Sequence, residues 1–201
     1  ELCGKPVLWR AARAFDGLTD GLVVVAREAE LSAVAALLPE AIVVAGGATR
    51  QRSVLNGLHA LPEGADIVLV HDGARPLVTG DIIRRCIESA RAHGSGVAAM
   101  PVKATVKRAG PDGRVVDTPV RASLYEAQTP QAFHARALRA AIEALEARGE
   151  TVTDDAAAME AAGESVRLVA GAYTNIKLTT PEDLAMAEWM LRGQSAAPRT
   201  G

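Results

Sequence analysis

The chain has 201 residues, of which 49% are hydrophobic and only 3% aromatic, so its core must be built from Val, Leu, Ile and Ala. That length fits a single domain able to bury a substantial core. A formal net charge of -2 and a pI near 6.1 give no overall basic footprint for nucleic acid, so a small-molecule partner is expected.

Cysteine usage and hydropathy exclude further classes. Cys3 and Cys86 cannot form a disulfide framework, and neither has the close Cys or His neighbours of a zinc site, so a reducing cytoplasm is expected. The apolar run 22–26 is far shorter than the ~20 residues that span a bilayer, so no membrane association is predicted. The first residues are no signal peptide, and the early helix at Pro6 leads us to expect a natural segment before Glu1.

The first half of the chain alternates apolar runs of strand length with stretches of helical periodicity. Strands are predicted at about 21–26, 41–45, 67–70 and 97–100. Helices are predicted at about 7–15, 31–38, 54–61 and 82–90, the last begun by a Thr79 cap. Such alternation predicts an α/β fold with a parallel sheet and right-handed crossovers.

The alternation breaks after Pro101. Residues 102–108 and 114–120 form two short extended pieces around the turn signal at 109–113, which predicts a β-hairpin arm over about 102–121. Because an arm that leaves a compact domain exposes sheet edges, we expect a second subunit to cover it.

The α/β pattern returns in the last third of the chain. A helix is predicted at about 135–148, a short helix begun by 153–155, strands at 166–169 and 175–178, and a helix from Thr180 to about Leu191. These elements predict one domain over 1–192 and a disordered polar tail over 193–201.

Polar residues follow the predicted central strand. The run 67–70 is apolar without alternation, as in a strand buried on both faces of a parallel sheet. Such sheets bind ligands beyond the carboxyl ends of their strands, where His71 and Asp72 follow. A carboxylate suits Mg²⁺, and Gly73 lets a ligand approach the backbone. The plain alternative is that Asp72 caps a local turn and Arg75 is a solvated charge.

Other polar features lie near the predicted strands and the arm. The glycine turn, residues 46–53, offers close backbone approach and free N–H groups at a helix start, but it has neither Walker A nor dinucleotide spacing, and a plain tight turn also explains it. Lys177 lies in apolar company at a predicted strand end, before Thr179 and Thr180. Residues 129–131 form a further polar turn, and Arg121 ends the arm.

The order of these segments resembles the 2-C-methyl-D-erythritol 4-phosphate cytidylyltransferases of non-mevalonate isoprenoid synthesis. The resemblance covers the chain from Lys5 to about Leu191. The matching pieces are Gly46-Gly47 with Arg50 and Ser53-Val54, VHDGARP at 70–76, Pro101 with Thr105-Val106-Lys107, QTPQAF at 128–133, TDDA at 153–156, NIK at 175–177 and PEDL at 181–184.

The resemblance implies a Rossmann-like nucleotidyltransferase fold, mostly a parallel twisted sheet flanked by helices, with a dimerising hairpin arm. It implies transfer of CMP from CTP to 2-C-methyl-D-erythritol 4-phosphate, with Mg²⁺ on Asp72 and with Asp72 and Lys177 as catalytic residues. It assigns nucleotide contacts to Gly47, Ala48, Ser53 and Gly73. It assigns sugar-phosphate contacts to Thr105, Arg121, Thr129 and Thr153, of which Thr105 and Arg121 would reach the neighbouring subunit's site.

Two features depart from the family. The strand and glycine-rich loop that embrace the triphosphate do not precede Glu1 in this sequence, and Ala48 stands where members commonly have an acidic residue. Three alternatives stay open: a cytidylyltransferase for another polyol phosphate such as ribitol 5-phosphate, a non-catalytic nucleotide-binding protein, and an NAD-dependent dehydrogenase. His71 is interpreted as structural.

Overall fold

The structure is a computed structural model that describes the backbone of residues 1–196 and the side chains of residues 1–193. The helices are α1 (Val7–Arg13), α2 (Leu31–Leu37), α3 (Arg50–His59), α4 (Gly80–His93), α5 (Ala135–Arg148), α6 (Asp155–Ala161) and α7 (Pro181–Ala196). The strands are β1 (Val23–Ala26), β2 (Ile42–Ala45), β3 (Ile67–Val70), β4 (Ser95–Pro101), β5 (Arg108–Ala109), β6 (Val115–Asp117), β7 (Tyr125–His134) and β8 (Leu168–Ala170).

The main sheet has the strand order β3-β7-β4-β8. Strands β3 and β4 both pair antiparallel with β7, and β8 pairs parallel with β4. Strands β3, β4 and β8 therefore run in one direction and β7 runs against them. Strands β1 and β2 form a separate parallel pair. The α/β class predicted from the alternation is confirmed.

Strand β7 is the element that sequence reasoning missed. The sequence predicts a polar turn at residues 129–131, and that prediction is wrong: they lie inside β7, between β3 and β4. Gln128, Thr129 and Gln131 are all buried in this strand. In the sequence these polar residues look like turn residues, because partners that satisfy their polar groups lie far along the chain and leave no local signal of burial.

Helices cover both faces of the main sheet, as the period-two alternation of strand side chains requires. Val97 and Phe133 pack on one face with Leu138, Ile142 and Leu145 of α5. Their neighbours Ala98 and Ala132 face the other way and pack with Ile82, Ile83 and Cys86 of α4. Burial raises the pKa of the Cys86 thiol to about 12, so this cysteine behaves as a core side chain.

The helix boundaries follow local capping signals. Helix α4 begins after Thr79, which occupies the predicted N-cap position, but its side chain makes no capping hydrogen bond. The helix ends at His93 and is capped by Gly94, whose φ of 83° suits glycine. Helix α7 begins with a reciprocal cap, in which Asp183 accepts from the Thr180 N–H and Thr180 Oγ1 accepts from the Asp183 N–H.

The end of α7 corrects one prediction. The helix continues past Leu191 to Ala196, so residues 193–196 are helical and not part of a disordered tail. Residues 197–201 of the predicted tail lie outside the described residues. Within residues 1–196, none of the helices combines the length and the apolar character needed to cross a bilayer.

The predicted arm is a short β-hairpin. Strands β5 and β6 pair antiparallel, and the Gly110 N–H donates to the Arg114 carbonyl across the turn. Val115, Val116 and Val120 expose 58%, 63% and 73% of their surface. The arm therefore presents an apolar surface that the other residues described by the structure do not cover.

Candidate functional site

A carboxylate and an ammonium meet beyond the end of β3. Lys177 Nζ lies 3.2 Å from Asp72 Oδ2, and Arg75 Nε donates to the same oxygen at 3.3 Å. The Asp72 side chain is only 18% exposed, whereas that of Lys177 is 45% exposed. Asp72 is therefore held against the protein, and the lysine retains a face toward solvent.

A closed set of hydrogen bonds holds the loop after β3, residues 71–76, which we call the Asp72 loop. The Arg75 carbonyl can only accept, so His71 Nε2 carries the hydrogen that donates to it at 3.1 Å. His71 Nδ1 then accepts from the Thr129 hydroxyl, also at 3.1 Å, while Thr129 Oγ1 accepts from the Asp72 N–H at 3.0 Å. Both ring nitrogens are used to shape the loop.

Burial sets the protonation of His71. The ring packs edge-on against Phe15, with centroids 5.1 Å apart. Desolvation lowers the pKa of His71 to about 4, so the imidazole is neutral at pH 7. The structural interpretation of His71 is consistent with this environment.

Charges around Asp72 favour its ionised form. Burial alone would raise the pKa of Asp72, but the nearby Lys177, Arg75 and Arg50 outweigh it and hold that pKa below its usual value. The site therefore contains a carboxylate with cationic neighbours at neutral pH. An anionic ligand that brings its own cation can replace the contacts that Asp72 makes with its cationic neighbours.

The segment that carries Lys177 is fixed by Asn175, which lies two residues earlier and is fully buried. Asn175 Nδ2 donates to the Thr129 carbonyl at 2.9 Å and to Gln128 Oε1 at 3.2 Å. The Asn175 carbonyl accepts from Arg75 Nη1 at 2.8 Å. The segment is thus bound to both β7 and the Asp72 loop.

The sequence predicts a strand at residues 175–178, and that prediction is wrong. They are irregular, and their Leu178 N–H donates to the Ala74 carbonyl at 2.8 Å instead of joining the sheet. The apolar residues Ile176 and Leu178 pack with Leu2 and Ala187 under α7. Lys177, between them, points the other way, toward Asp72.

The glycine turn is a compact structure at the start of α3. Ser53 Oγ accepts from the Gly47 N–H at 3.0 Å and donates to the Thr49 carbonyl at 2.9 Å. Thr49 caps the helix by accepting from the Arg52 N–H. A Cβ on Gly47 would collide with the Arg52 side chain, so the turn requires glycine there.

A cleft of about 460 Å³ opens between this turn and the end of β1. Its lining includes Gly46, Gly47, Ser53 and the stretch 25–28, and Glu30 closes one side. Asp72 and Lys177 do not line this cleft, and Ala48 is exposed beside it. Gly73 lies in the Asp72 loop instead, close to Leu8 of α1.

The segment before α6 approaches the glycine turn from the other side. Arg50 donates two hydrogen bonds to Asp155, at 3.1 and 2.6 Å, and its charge also acts on Asp72. Asp154 caps α6 by accepting from the Ala157 N–H. Thr153 precedes this cap and is exposed.

The arm residues lie apart from these groups within the chain. Thr105 is exposed, and Arg121 donates to the Lys103 carbonyl at 3.1 Å. No ion pair or hydrogen bond in the described part of the chain joins either residue to Asp72 or Lys177.

The structure therefore brings together four of the predicted residues: Asp72 and Gly73, which share one loop, with Lys177 and Thr129. Thr129 contributes differently from the expectation, since its hydroxyl is engaged by His71 and Asp72 and the side chain is 4% exposed. Sequence reasoning assigned no role to Asn175, Gln128 or Gln131. Only their membership of the matched motifs singled them out.

Comparison with known proteins agrees with this arrangement. A family model described as "IspD: 2-C-methyl-D-erythritol 4-phosphate cytidylyltransferase" matches residues 1–193. The enzyme of that name from Thermosynechococcus vestitus is 44% identical over 200 residues, which cover 96% of this chain and 86% of that protein. The Synechocystis enzyme is 50% identical over 76% of this chain, and the match spans 66% of its own length.

Solved structures give the same result. The 4-diphosphocytidyl-2C-methyl-D-erythritol synthase from Anaerococcus prevotii has a TM-score of 0.90 at 32% identity, covering 96% of this chain and 88% of that one. The Thermus thermophilus 2-C-methyl-D-erythritol 4-phosphate cytidylyltransferase has a TM-score of 0.83, also at 32% identity, covering 96% and 92%. The chain belongs to the IspD family of 2-C-methyl-D-erythritol 4-phosphate cytidylyltransferases, as the order of its motifs predicts.

Proposed function

We propose that this chain transfers CMP from CTP to 2-C-methyl-D-erythritol 4-phosphate, giving 4-diphosphocytidyl-2-C-methyl-D-erythritol and pyrophosphate. The observation that carries the proposal is the contact of Lys177 with Asp72 at 3.2 Å beyond the end of β3. Asp72 offers a carboxylate that can hold a cation, and Lys177 offers an ammonium with an exposed face. Both groups suit a site where a triphosphate is attacked.

The nucleotide would lie between the glycine turn and the Asp72 loop. Gly47 and Ser53 line the cleft at the turn, so a base or ribose there would lie against their backbone. Gly73 would lie at the nucleotide from the other side. Because Ala48 has no polar side chain, any contact there would use its backbone.

The residues present fit Mg²⁺ that arrives with the nucleotide. Mg²⁺ commonly takes one or two carboxylates together with substrate phosphates and water. Within residues 1–193, no cluster of three or more His, Cys, Asp or Glu side chains could hold a metal by itself. Asp72 would hold the ion, which would neutralise phosphate charge when bound.

The sugar phosphate would be held by residues from two places. Thr153 is exposed beside the fixed start of α6, so its hydroxyl is available to a phosphate or a polyol. Thr129 would act through the Asp72 loop that its hydroxyl supports. Thr105 and Arg121 would reach the site of a second subunit through the arm.

The reaction needs charge neutralisation more than proton transfer. The second pKa of a phosphate monoester is about 6, so the attacking oxygen is already ionised at neutral pH and needs no general base. It would form a bond to the α-phosphorus of CTP, while the bond from that phosphorus to the bridging oxygen breaks and pyrophosphate leaves with the electron pair. Lys177 would offset the repulsion between the two polyanions, and His71 would take no proton.

A homodimer through the arm completes the proposal. Val115, Val116 and Val120 form an exposed apolar surface on a short hairpin, which supports burial against a second copy. The site would then include residues from both subunits. The cytoplasmic location expected from cysteine usage stays a prediction.

Pyrophosphate release tests the proposed reaction. The purified protein is given CTP and Mg²⁺ with either 2-C-methyl-D-erythritol 4-phosphate or ribitol 5-phosphate. We expect release only when CTP and the methylerythritol phosphate are both present, and none after chelation of Mg²⁺. Preference for ribitol 5-phosphate would assign the other substrate, and CTP binding without release would indicate a non-catalytic nucleotide-binding protein.

A further inference from the structure

An ion pair joins the start of α3 to the start of α6, two elements that come from distant parts of the sequence. Arg50 Nη1 donates to Asp155 Oδ1 at 3.1 Å, and Arg50 Nη2 donates to Asp155 Oδ2 at 2.6 Å. The Asp155 side chain is 2% exposed. A two-point contact between planar groups fixes both distance and orientation, so the two helix starts cannot shift independently.

The neighbouring residue Gln51 strengthens the same junction. Its Nε2 donates to Glu146 Oε1 at 2.8 Å and to the Glu150 carbonyl at 3.1 Å. Its Oε1 accepts from the Val152 N–H at 3.2 Å. Gln51 is buried, so these bonds replace hydration that the amide has lost. Helix α3 therefore holds residues 150–152 as well as Asp155.

Strand β7 holds the segment from a third direction. Gln131 Nε2 donates to Asp154 Oδ2, and Gln131 Oε1 accepts from the Ala156 N–H, both at 2.9 Å. Gln131 is 1% exposed. The segment 150–156 is thus fixed on either side of Thr153, whose own side chain is exposed.

The two segments that the Arg50–Asp155 ion pair joins are assigned to different substrates. The glycine turn that begins α3 lines the cleft assigned above to the nucleotide, and the segment 150–156 carries Thr153, assigned to the sugar phosphate. We propose that Arg50 and Asp155 are positioning residues that couple these two binding segments, so that the sugar phosphate is held at the distance from CTP that attack requires. This inference rests on the proposed function.

The proposal predicts a kinetic pattern that general damage would not give. A small misplacement of reacting groups lowers kcat steeply while each substrate can still bind. We expect Arg50→Lys and Asp155→Asn each to lower kcat about 10-fold to 100-fold, with Kd for CTP within about 3-fold of the wild type. Because the pair acts as a unit, the double variant should lose no more than the worse single variant.

The matched control is Arg84→Lys, which alters an exposed guanidinium that pairs with Asp81 away from the site. It should keep kcat within about 2-fold, as expected for an exposed ion pair. Arg50 is partly exposed, so Arg50→Lys also decides the question if Asp155→Asn does not fold. Wild-type kcat in folded Arg50→Lys, or a fall in CTP affinity as large as the fall in kcat/KM, would overturn the coupling.

Hydrogen exchange gives a readout that does not depend on turnover. We expect CTP with Mg²⁺ to slow amide exchange in both 46–53 and 150–156 of the wild type, but only in 46–53 of Arg50→Lys. Equal protection of both segments in the variant would contradict the coupling. If the wild type transfers no CMP at all, the proposed function fails; if it does and the variant keeps both kcat and the protection pattern, only the coupling fails.

Discussion

The ammonium of Lys177 lies 3.2 Å from Oδ2 of Asp72, which joins the loop after β3 to the segment before α7. Each partner is held from behind: the Asp72 N–H donates to Thr129, and the buried Asn175 fixes the backbone next to Lys177. The pair is therefore positioned before any ligand arrives. Charges oriented in advance need little reorganisation when a polyanion binds and reacts.

Asp72→Asn should lower kcat by on the order of 10² or more, the scale of losing one transition-state charge partner. Asparagine keeps the size of the side chain, and the bond to Thr129 comes from the backbone N–H, so folding should be intact. Pyrophosphate release at saturating concentrations of both substrates measures the effect. Asp81→Asn, an exposed carboxylate on α4, is the matched control. Turnover at the wild-type level in Asp72→Asn would show that the carboxylate is not needed.

Arg121→Ala should raise KM for the sugar phosphate by about 10-fold or more, as for the loss of a charge-assisted hydrogen bond, while Kd for CTP stays nearly unchanged. The reason is that Arg121 is an exposed cation on the arm, and its guanidinium donates to the Lys103 carbonyl within the described part of the chain. Arg114→Ala, at the exposed tip of the same arm, is the control. A selective loss of CTP affinity in Arg121→Ala would contradict its assignment.

The arm should carry the dimer contact. Val116 and Val120 expose 63% and 73% of their surface, which a second subunit would bury. Replacing both with Asp should shift sedimentation equilibrium toward the monomer, because burying unpaired carboxylates is costly. It should also lower activity, since Thr105 and Arg121 would no longer reach a partner's site. A double variant that stays dimeric would assign the interface to another surface.

Sequence patterns predicted the parts of the fold that depend on local periodicity. The family and the α/β class are confirmed, and the helix predicted at 135–148 is α5 with the same bounds. Its apolar residues recur at helical spacing and pack on the sheet. The pattern that specifies this helix therefore lies within one stretch of sequence.

The errors arose where structure depends on partners far along the chain. Strand β7 contains the buried polar residues Gln128, Thr129 and Gln131, whose partners Asn175, His71 and Asp154 belong to other segments. No local pattern distinguishes such residues from a turn. The pairing of Arg50 with Asp155 could not be predicted either, because a sequence does not show which carboxylate a given arginine contacts.

Protonation of His71 should make stability depend on pH. Its folded pKa of about 4 lies below the ordinary 6.5, so the unfolded chain binds the proton first as the pH falls. The free energy of unfolding is therefore at its full value above about pH 6.5 and falls toward pH 4, by about 3 kcal/mol from this group.

His71→Gln isolates this contribution, because glutamine can still donate to the Arg75 carbonyl but does not titrate. Urea unfolding at pH 7, 5.5 and 4.5, without nucleotide or metal, should show a smaller loss of stability in the variant than in the wild type. His93→Gln at the exposed end of α4 is the control. Equal pH dependence in wild type and His71→Gln would mean that His71 does not titrate as its burial requires.

A double-mutant cycle on Asp72 and Lys177 asks whether these two side chains serve one reaction centre. Lys177→Ala alone should lower kcat/KM by on the order of 10² or more. Lys5→Ala, which removes an exposed lysine before α1, is the matched control. The double variant Asp72→Asn with Lys177→Ala should lose about as much as the worse single variant, because groups that act as a unit are not additive. Losses that multiply to about 10⁴ would contradict a shared centre and would mean that the carboxylate and the ammonium act separately.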